Sequence, residues 1–314
     1  MAAALSLAER GVGRTGNNPS VGCVIVKNDI VIGRGWTQSG GRPHAEAMAL
    51  AQAGAAALGS KVYVTLEPCA HVSQRGPACA QLLMEAAPAR VIVALQDPDA
   101  RTAGEGMATL KASGIEVMAG VMASEARQNL AGFLSRMSRG RPFVTLKIAS
   151  TLDGQIAMAD GSSRWITGEI ARAHSHIERA RSDTILVGAG TVRADTPQLT
   201  VRLAGLEMAQ PRKVMLGSGE APEGWEVIRT PSEIAHLDCN TVFVEGGAAT
   251  ATAFLREGLV DRLMLYRAPI LIGAGKACLS DIGLTQLGDA HGRWQISDSR
   301  SLGKDRLEVY ESAQ

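Results

Sequence analysis

Aromatic residues are scarce in this chain: four Trp, three Tyr and four Phe in 314 residues. Interleaved aromatic platforms for stacking single-stranded nucleic acid are therefore not expected. Excess charge of either sign is also missing, with 32 Lys and Arg against 31 Asp and Glu. That leaves no global field to steer the protein onto nucleic acid or an anionic membrane, although a local basic pocket remains open. Cysteines are few and odd in number, at positions 23, 69, 79, 239 and 278. They form no disulfide framework, and a reducing cytoplasm fits them better. Long apolar runs are absent too. The alanine-rich stretch 45–58 is interrupted by Glu46, Gln52 and Gly54, well short of the about 18 uncharged residues of a membrane span. The opening MAAALSLAERGVG has no basic n-region and soon meets Glu9 and Arg10, so it reads as a helix and not as a signal peptide.

What is present in quantity is glycine, 35 residues, as in α/β domains with many tight turns and close backbone approaches to phosphates. At about 100–200 residues per domain, the length favours two domains. In the first half, apolar β-branched runs at 21–26 and 30–35 flank Lys27-Asn28-Asp29 and predict a hairpin. A helix opening after Pro43, a strand over 62–66, a helix over 79–87, a strand over 91–95, a helix over 107–112 and a strand over 115–119 follow. A helix over 125–137 then runs into Ser138-Arg139-Gly140-Arg141-Pro142, the expected linker. The second half alternates again, with strands over 143–149, 184–187, 213–216, 241–244 and 262–268 and helices over 169–180 and 248–257. Two α/β domains are expected, residues 1–140 and 141–314.

Metal-ligand chemistry is concentrated in three segments of the first half: His44-Ala45-Glu46 at a helix start, Glu67-Pro68-Cys69 past a strand end, and Pro77-Ala78-Cys79 at the next helix opening. His44, Cys69 and Cys79 give zinc three protein ligands and leave a fourth position for water, the arrangement of a catalytic site. Glu46 is two residues from His44 and is left over as an acid beside that water. It can take a proton and return it to a leaving amine, which is hydrolytic deamination. His-x-Glu followed by Pro-Cys is the signature of zinc nucleobase deaminases, although their second cysteine follows after two residues and here nine intervene. The intervening loop 70–78 is free to line a pocket. Its His71 is read as a supporting residue near the catalytic water, with a fourth ligand or a substrate contact as alternatives. Cys23 reads as a small core residue. His174 and His176, two apart on a helix, read as surface residues. Gly11-Val12-Gly13-Arg14-Thr15-Gly16 matches G-x-G-x-x-G, but a helix precedes it and Asn17-Asn18-Pro19 follows, so it reads as a loop.

Asn18-Pro19-Ser20-Val21-Gly22, His44-Ala45-Glu46 and Glu67-Pro68-Cys69-Ala70-His71 together resemble the deaminase half of the bifunctional riboflavin-biosynthesis deaminase/reductase family. The second half resembles that family's reductase at Lys147, Thr151-Leu152-Asp153-Gly154, Trp165-Ile166-Thr167-Gly168, Gly190-Thr191-Val192-Arg193-Ala194-Asp195 and Val244-Glu245-Gly246-Gly247. The resemblance covers nearly the whole chain. It implies a cytidine-deaminase-like three-layer domain followed by a dihydrofolate-reductase-like α/β domain. It also implies two consecutive steps. A phosphoribosylamino-diaminopyrimidine is deaminated with zinc, and the ribose of the resulting aminouracil is then reduced to ribityl by NADPH.

Carried over by motif, Glu46 shuttles the proton, His44, Cys69 and Cys79 bind zinc, and Asn18 contacts the pyrimidine. Ser163, Arg179, Leu199, Arg202 and Glu245 match substrate contacts, Arg179 and Arg202 being the cations for its phosphate. Ala149, Trp165, Thr191, Asp195 and the segment 247–253, with Gly247, Ala248, Ala249 and Thr250 at its start, match NADPH contacts.

One departure is visible. The family loop runs Cys-x-His-x-Gly, a basic residue, then Thr-Pro-Pro-Cys. Here Cys69-Ala70-His71-Val72-Ser73-Gln74-Arg75-Gly76-Pro77-Ala78-Cys79 is one residue longer, which leaves open whether Arg75 takes the place of the basic residue. Two other functions compete. One is a nucleoside or nucleic-acid deaminase fused to an unrelated reductase, which neutral charge and scarce aromatics oppose. The other is a regulatory protein with a merely structural zinc, which the positioned Glu46 opposes. The partners expected are a small phosphorylated aminopyrimidine and no nucleic acid or membrane, with a homo-oligomer compatible with the sequence.

Overall fold

The computed structural model describes residues 1–71 and 76–313, and the chain divides into two units, Met1–Arg141 and Pro142–Gln314. The first unit begins with helix α1 (Ala2–Ala8), and residues 12–19, which hold most of the G-x-G-x-x-G match, are turns and coil. Strands β1 (Gly22–Lys27) and β2 (Ile30–Trp36) pair antiparallel through Asn28 and Asp29, both with φ near +50 to +60°. Asn and Asp tolerate that left-handed backbone, and it matches the strand twist of a two-residue hairpin. Helix α2 (Ala45–Ala53), strand β3 (Lys61–Val64), helix α3 (Cys79–Ala86), strand β4 (Arg90–Val93), helix α4 (Glu105–Ala112) and strand β5 (Glu116–Ala119) complete a five-stranded sheet of order β2-β1-β3-β4-β5. β3, β4 and β5 run parallel.

The placement of α2 is set by two glycines of β2. A Cβ on Gly35 would lie 2.1 Å from the Ala45 carbonyl oxygen, and one on Gly33 would lie 2.3 Å from that of Ala49. Only glycine lets this alanine-rich helix touch the strand backbone, and that contact fixes the helix start that carries His44 and Glu46. Cys23 is buried in the same core, with Ala45, Ala49, Val62, Leu83 and Val91.

The helix expected over 125–137 is two helices, α5 (Ala123–Asn129) and α6 (Ala131–Arg139), bent at Leu130. Leu130 is buried in the core, and the Asn129 amide donates to the Leu5 carbonyl at 3.0 Å, so tertiary contacts outweigh continuity of the helix. Ser138 and Arg139 close α6, and Gly140 follows at φ 67° as its left-handed cap. The irregular stretch between the units is thus shorter than the expected linker.

The second unit holds β6 (Phe143–Ser150), β7 (Gln155–Met158), α7 (Glu169–Ala180), β8 (Thr184–Gly188), α8 (Ala189–Asp195), β9 (Arg212–Leu216), β10 (Glu226–Ile228), β11 (Thr241–Val244), α9 (Ala248–Arg256), β12 (Arg262–Arg267), β13 (Gly275–Ala277), β14 (Trp294–Leu302) and β15 (Asp305–Ser312). Its eight-stranded sheet has the order β10-β9-β8-β11-β6-β12-β15-β14, parallel from β10 to β12 and antiparallel beyond. β7 and β13 form a separate ribbon.

Burial alternates strictly along β6. Val144, Leu146 and Ile148 share a core with Ala251, Phe254 and Leu255 of α9. Across the sheet, Ile185, Phe243, Met264 and Tyr266 pack with Ala171 of α7. Tyr266 stands opposite Ala149 in the register, which puts Ala149 and Lys147 on the α7 side. No helix among the described residues is long and apolar enough to cross a membrane.

Candidate active sites

Three structural elements deliver the first site. His44 is the residue before α2, Cys69 follows the end of β3, and Cys79 is the first residue of α3. His44 Nδ1 lies 3.3 Å from Cys79 Sγ and 3.6 Å from Cys69 Sγ. Tetrahedral zinc with bonds of about 2.0–2.1 Å to nitrogen and about 2.3 Å to sulfur needs N···S separations of about 3.5 Å, so these donors fit the ion as they stand. Among the described residues they form the single group of three such donors able to hold a metal.

The Cys79 backbone N–H also donates to Cys69 Sγ at 3.3 Å. Cys69 is pulled down to about 4, first by the hydrogen bond from the Cys79 thiol, with His44 and the Cys79 N–H adding to it against burial. Cys79 is pushed up by the same hydrogen bond and by burial. Glu46 is 3% exposed and is not a member of the ligand group. Burial lifts its carboxyl to about 7 against the pull of His44. A carboxyl poised near neutrality is the kind that both accepts and returns a proton.

His71 is not a ligand: its Nδ1 lies 3.3 Å from Oγ1 of the buried Thr102. Asn18 is half-buried, with its amide donating to the Thr15 carbonyl at 3.2 Å. Arg75 lies outside the described residues.

Glu67 has a role that the sequence reading missed. Its buried carboxylate accepts the backbone N–H groups of Asp97, Gly104 and Met107 at 3.2, 3.0 and 3.0 Å. Glu67 thereby ties the segment 97–104 and the first turn of α4 beneath the Cys69 strand end. The signal available was an acidic residue three positions after the end of a strand, next to Pro68 and Cys69.

In the second unit, the carboxyl ends of β6, β8 and β11 lie side by side, the place where open parallel sheets bind ligands. Ala149 is near the end of β6, Thr191 and Asp195 are on α8, and Gly247, Ala248, Ala249 and Thr250 open α9. Thr191 and Gly247 face each other: a Cβ on Gly247 would stand 3.8 Å from Thr191 Oγ1, while Gly190 opens onto free space. Thr250 is buried, and its side chain explains two glycines. A Cβ on Gly188 would lie 2.2 Å from it and one on Gly246 2.3 Å. Ser163 and Trp165 lie in the loop before α7. Trp165 is 66% exposed, with the Arg172 guanidinium 4.7 Å from its ring centroid. Adjacent carboxyl ends of parallel strands, a glycine-led helix start and an exposed aromatic face suit a dinucleotide.

Glu245 is the centre of the polar layer under α7. Arg179 donates Nε and Nη2 to its two oxygens at 2.5 and 2.9 Å, and Lys147 Nζ lies 3.9 Å from Oε2. Burial opposes the charge on Glu245, but the Arg179 hydrogen bonds and the Lys147 charge hold its carboxyl below the usual range. Lys147 is depressed by its own burial. A lysine at an inward position of an apolar strand is the sequence signal for this buried charge. Arg179 also donates Nη1 to the Thr200 carbonyl at 3.1 Å, so three of its five N–H groups are occupied. Leu199 is buried at φ +52°, and Arg202 beyond it is exposed. His174 and His176 are half-buried, not on the surface as expected. Arg300 donates to His174 Nε2 at 2.9 Å, which leaves the Nδ1 hydrogen of the neutral ring for the Tyr266 oxygen at 2.8 Å. His176 Nδ1 accepts the Arg202 N–H. α7 is covered on both flanks, by the sheet and by the segment around Thr200, and helical spacing alone does not show the second cover.

A three-donor metal site with a buried acid in one α/β unit, and the aligned carboxyl ends of a parallel sheet in the other, define a two-domain enzyme with a deaminase-type metal centre. Residues 1–95 match the cytidine and deoxycytidylate deaminase zinc-binding region, and residues 142–307 match the RibD C-terminal domain. The riboflavin biosynthesis protein RibD of Escherichia coli (strain K12) is 39% identical over 355 aligned residues, spanning 97% of this chain and 96% of its own. That of Mycobacterium tuberculosis (strain H37Rv) is 41% identical, spanning 94% and 91%. The solved structure of Acinetobacter baumannii RibD, form 1, superposes with a TM-score of 0.91 at 38% identity, covering 100% of this chain and 98% of that one. A Thermotoga maritima diaminohydroxyphosphoribosylaminopyrimidine deaminase/5-amino-6-(5-phosphoribosylamino)uracil reductase gives 0.88 at 31%, covering 99% and 97%. The chain belongs to the riboflavin biosynthesis protein RibD family, with a cytidine-deaminase-like domain followed by a reductase domain.

Proposed function

We propose that the chain catalyses two consecutive steps of riboflavin biosynthesis. The first is zinc-dependent hydrolytic deamination of 2,5-diamino-6-(5-phosphoribosylamino)pyrimidin-4-one by residues 1–140. The second is NADPH reduction of the ribose of 5-amino-6-(5-phosphoribosylamino)uracil to ribityl by residues 141–314. The observation that carries the reading is the buried Glu46 carboxyl beside, and outside, a His44–Cys69–Cys79 donor set whose spacing suits zinc. A purely structural site needs no such acid.

In the first unit His44, Cys69 and Cys79 hold zinc, which when bound acidifies a water. Glu46 accepts a proton from the attacking water on its carboxylate and donates it to the departing amine. Asn18 orients the pyrimidine. In the second unit NADPH supplies the hydride, and Ala149, Trp165, Thr191, Asp195 and the start of α9 hold it. Arg179 fixes Glu245, Glu245 and Lys147 face the sugar, and Arg202 is the exposed cation for the phosphate, with Ser163 and Leu199 along the same pocket. Two cysteines that serve as metal ligands must stay reduced, which supports a cytoplasmic enzyme. The partner class is a small phosphorylated aminopyrimidine.

Mass spectrometry of the aminopyrimidine incubated with the zinc-loaded protein tests the reading. Without NADPH the product is the aminouracil, and with NADPH it is the ribityl compound. Ammonia release from a cytidine nucleoside or RNA instead would transfer the protein to the other deaminase class.

A further inference from the structure

Arg42 stands two residues before the metal ligand His44. It is half-buried, and among the described residues its guanidinium makes no hydrogen bond and no ion pair. Arg10 lies over the Trp36 ring, Arg90 pairs with Glu116, and Arg101, on the segment that meets His71, is gripped by Asp99, while Arg14, Arg34 and Arg127 are exposed to water. Arg42 instead directs Nη1 at Gly76, where a Cβ would lie 3.1 Å away. On the other side of the same turn, the Asn18 side chain sits against Gly41, where a Cβ would come within 2.0 Å of Asn18 Nδ2. Arg42 is therefore set between the Asn18 side chain, which lies against Gly41, and the chain at Gly76 that leads into Cys79, two residues before His44.

A half-buried guanidinium with no counter-ion among the described residues favours an anion placed beside it. Its planar fork suits two oxygens of a phosphate monoester. We infer that Arg42 is the phosphate-binding residue of the deaminase site, holding the phosphoribosyl end of the aminopyrimidine while Asn18 and Glu46 meet its ring. The inference rests on the deaminase reading above and adds to it a residue that distinguishes phosphorylated from unphosphorylated substrate.

The test compares Arg42→Ala and Arg42→Lys with the wild type on the phosphorylated aminopyrimidine and on its phosphatase-treated counterpart, with zinc content measured for each protein. Losing a charge-assisted contact raises the deaminase KM of Arg42→Ala for the phosphorylated substrate about 10- to 100-fold. The penalty on the dephosphorylated substrate is at least about tenfold smaller, Arg42→Lys recovers part of the loss, and zinc stays at the wild-type level. Equal penalties on both substrates, no penalty, or a penalty confined to Arg75→Ala would overturn the assignment while leaving the deaminase reading intact. A wild-type protein that releases no ammonia from the phosphorylated substrate would overturn both.

Discussion

Arg179 and Glu245 face each other in a two-point ion pair, Nε to Oε1 at 2.5 Å and Nη2 to Oε2 at 2.9 Å, and both side chains are largely buried. This separates two arginines that the sequence presents as equals. Removing Arg179 leaves a buried carboxylate without its main partner, so Arg179→Ala costs about 3–5 kcal/mol and lowers the Tm of the second unit. Arg202 is exposed and holds only its own neighbourhood, through Thr200 Oγ1 at 3.4 Å. Arg202→Ala changes stability by about 0.5 kcal/mol or less but raises the reductase KM for the aminouracil about 10- to 150-fold, with the KM for NADPH little changed. Thermal unfolding and the two KM values check both statements. A normal KM for the aminouracil in Arg202→Ala would return the arginine to the surface.

The acid and the ligands of the first site differ in kind, and substitution separates them. Glu46→Gln keeps all three metal donors and loses the proton carrier, so it binds zinc normally while ammonia release falls about 10²- to 10⁴-fold. Cys79→Ala removes a donor, so zinc content and activity fall together. Metal analysis beside an ammonia assay distinguishes the two. Wild-type turnover by Glu46→Gln would remove the acid from the mechanism.

Glu67 acts through the backbone that it holds. Three backbone N–H groups depend on its carboxylate, and each left unsatisfied costs about 1–3 kcal/mol. Glu67→Ala is therefore expected to loosen the segment 97–107, with faster amide exchange at Asp97, Gly104 and Met107, and to weaken zinc binding by freeing the neighbouring Cys69. Unchanged exchange at those three amides would show that water or another group serves them equally well.

The contrast between what could and could not be read from sequence has a physical basis. His44, Glu46, Cys69 and Cys79 were legible because their chemistry is rare and each sits at an element end. Parallel strands such as β8 and β11 were legible because burial on both faces writes a continuous apolar run. β14 was not: its residues Trp294–Leu302 are mostly exposed at a sheet edge and carry no apolar alternation. The break at Leu130, the burial of His174 and His176 and the commitment of Arg179 to Glu245 all come from partners distant in sequence. So does the orientation of Arg42 toward Gly76. Local patterns cannot encode such partners.

The pH dependence of stability follows from Asp97, which accepts the Asp99 N–H at 2.9 Å in a buried position. Burial first, and then the charges of Asp99 and Glu67, raise its carboxyl to about 6, against about 3.9 in an unfolded chain. Between about pH 4 and pH 6 the folded state therefore holds a proton that the unfolded state has released. Stability falls as pH rises wherever the folded state binds more protons, so the contribution of Asp97 declines across that window and levels off above it. Asp97→Asn keeps the oxygen that accepts the Asp99 N–H and cannot ionise. Relative to the wild type, the variant should gain stability steadily from pH 4 to pH 6 and keep that gain at pH 7. Urea unfolding at closely spaced pH values, with both proteins at equal zinc content, measures the difference. Parallel curves would mean that water reaches the Asp97 carboxylate and ionisation there is not resisted.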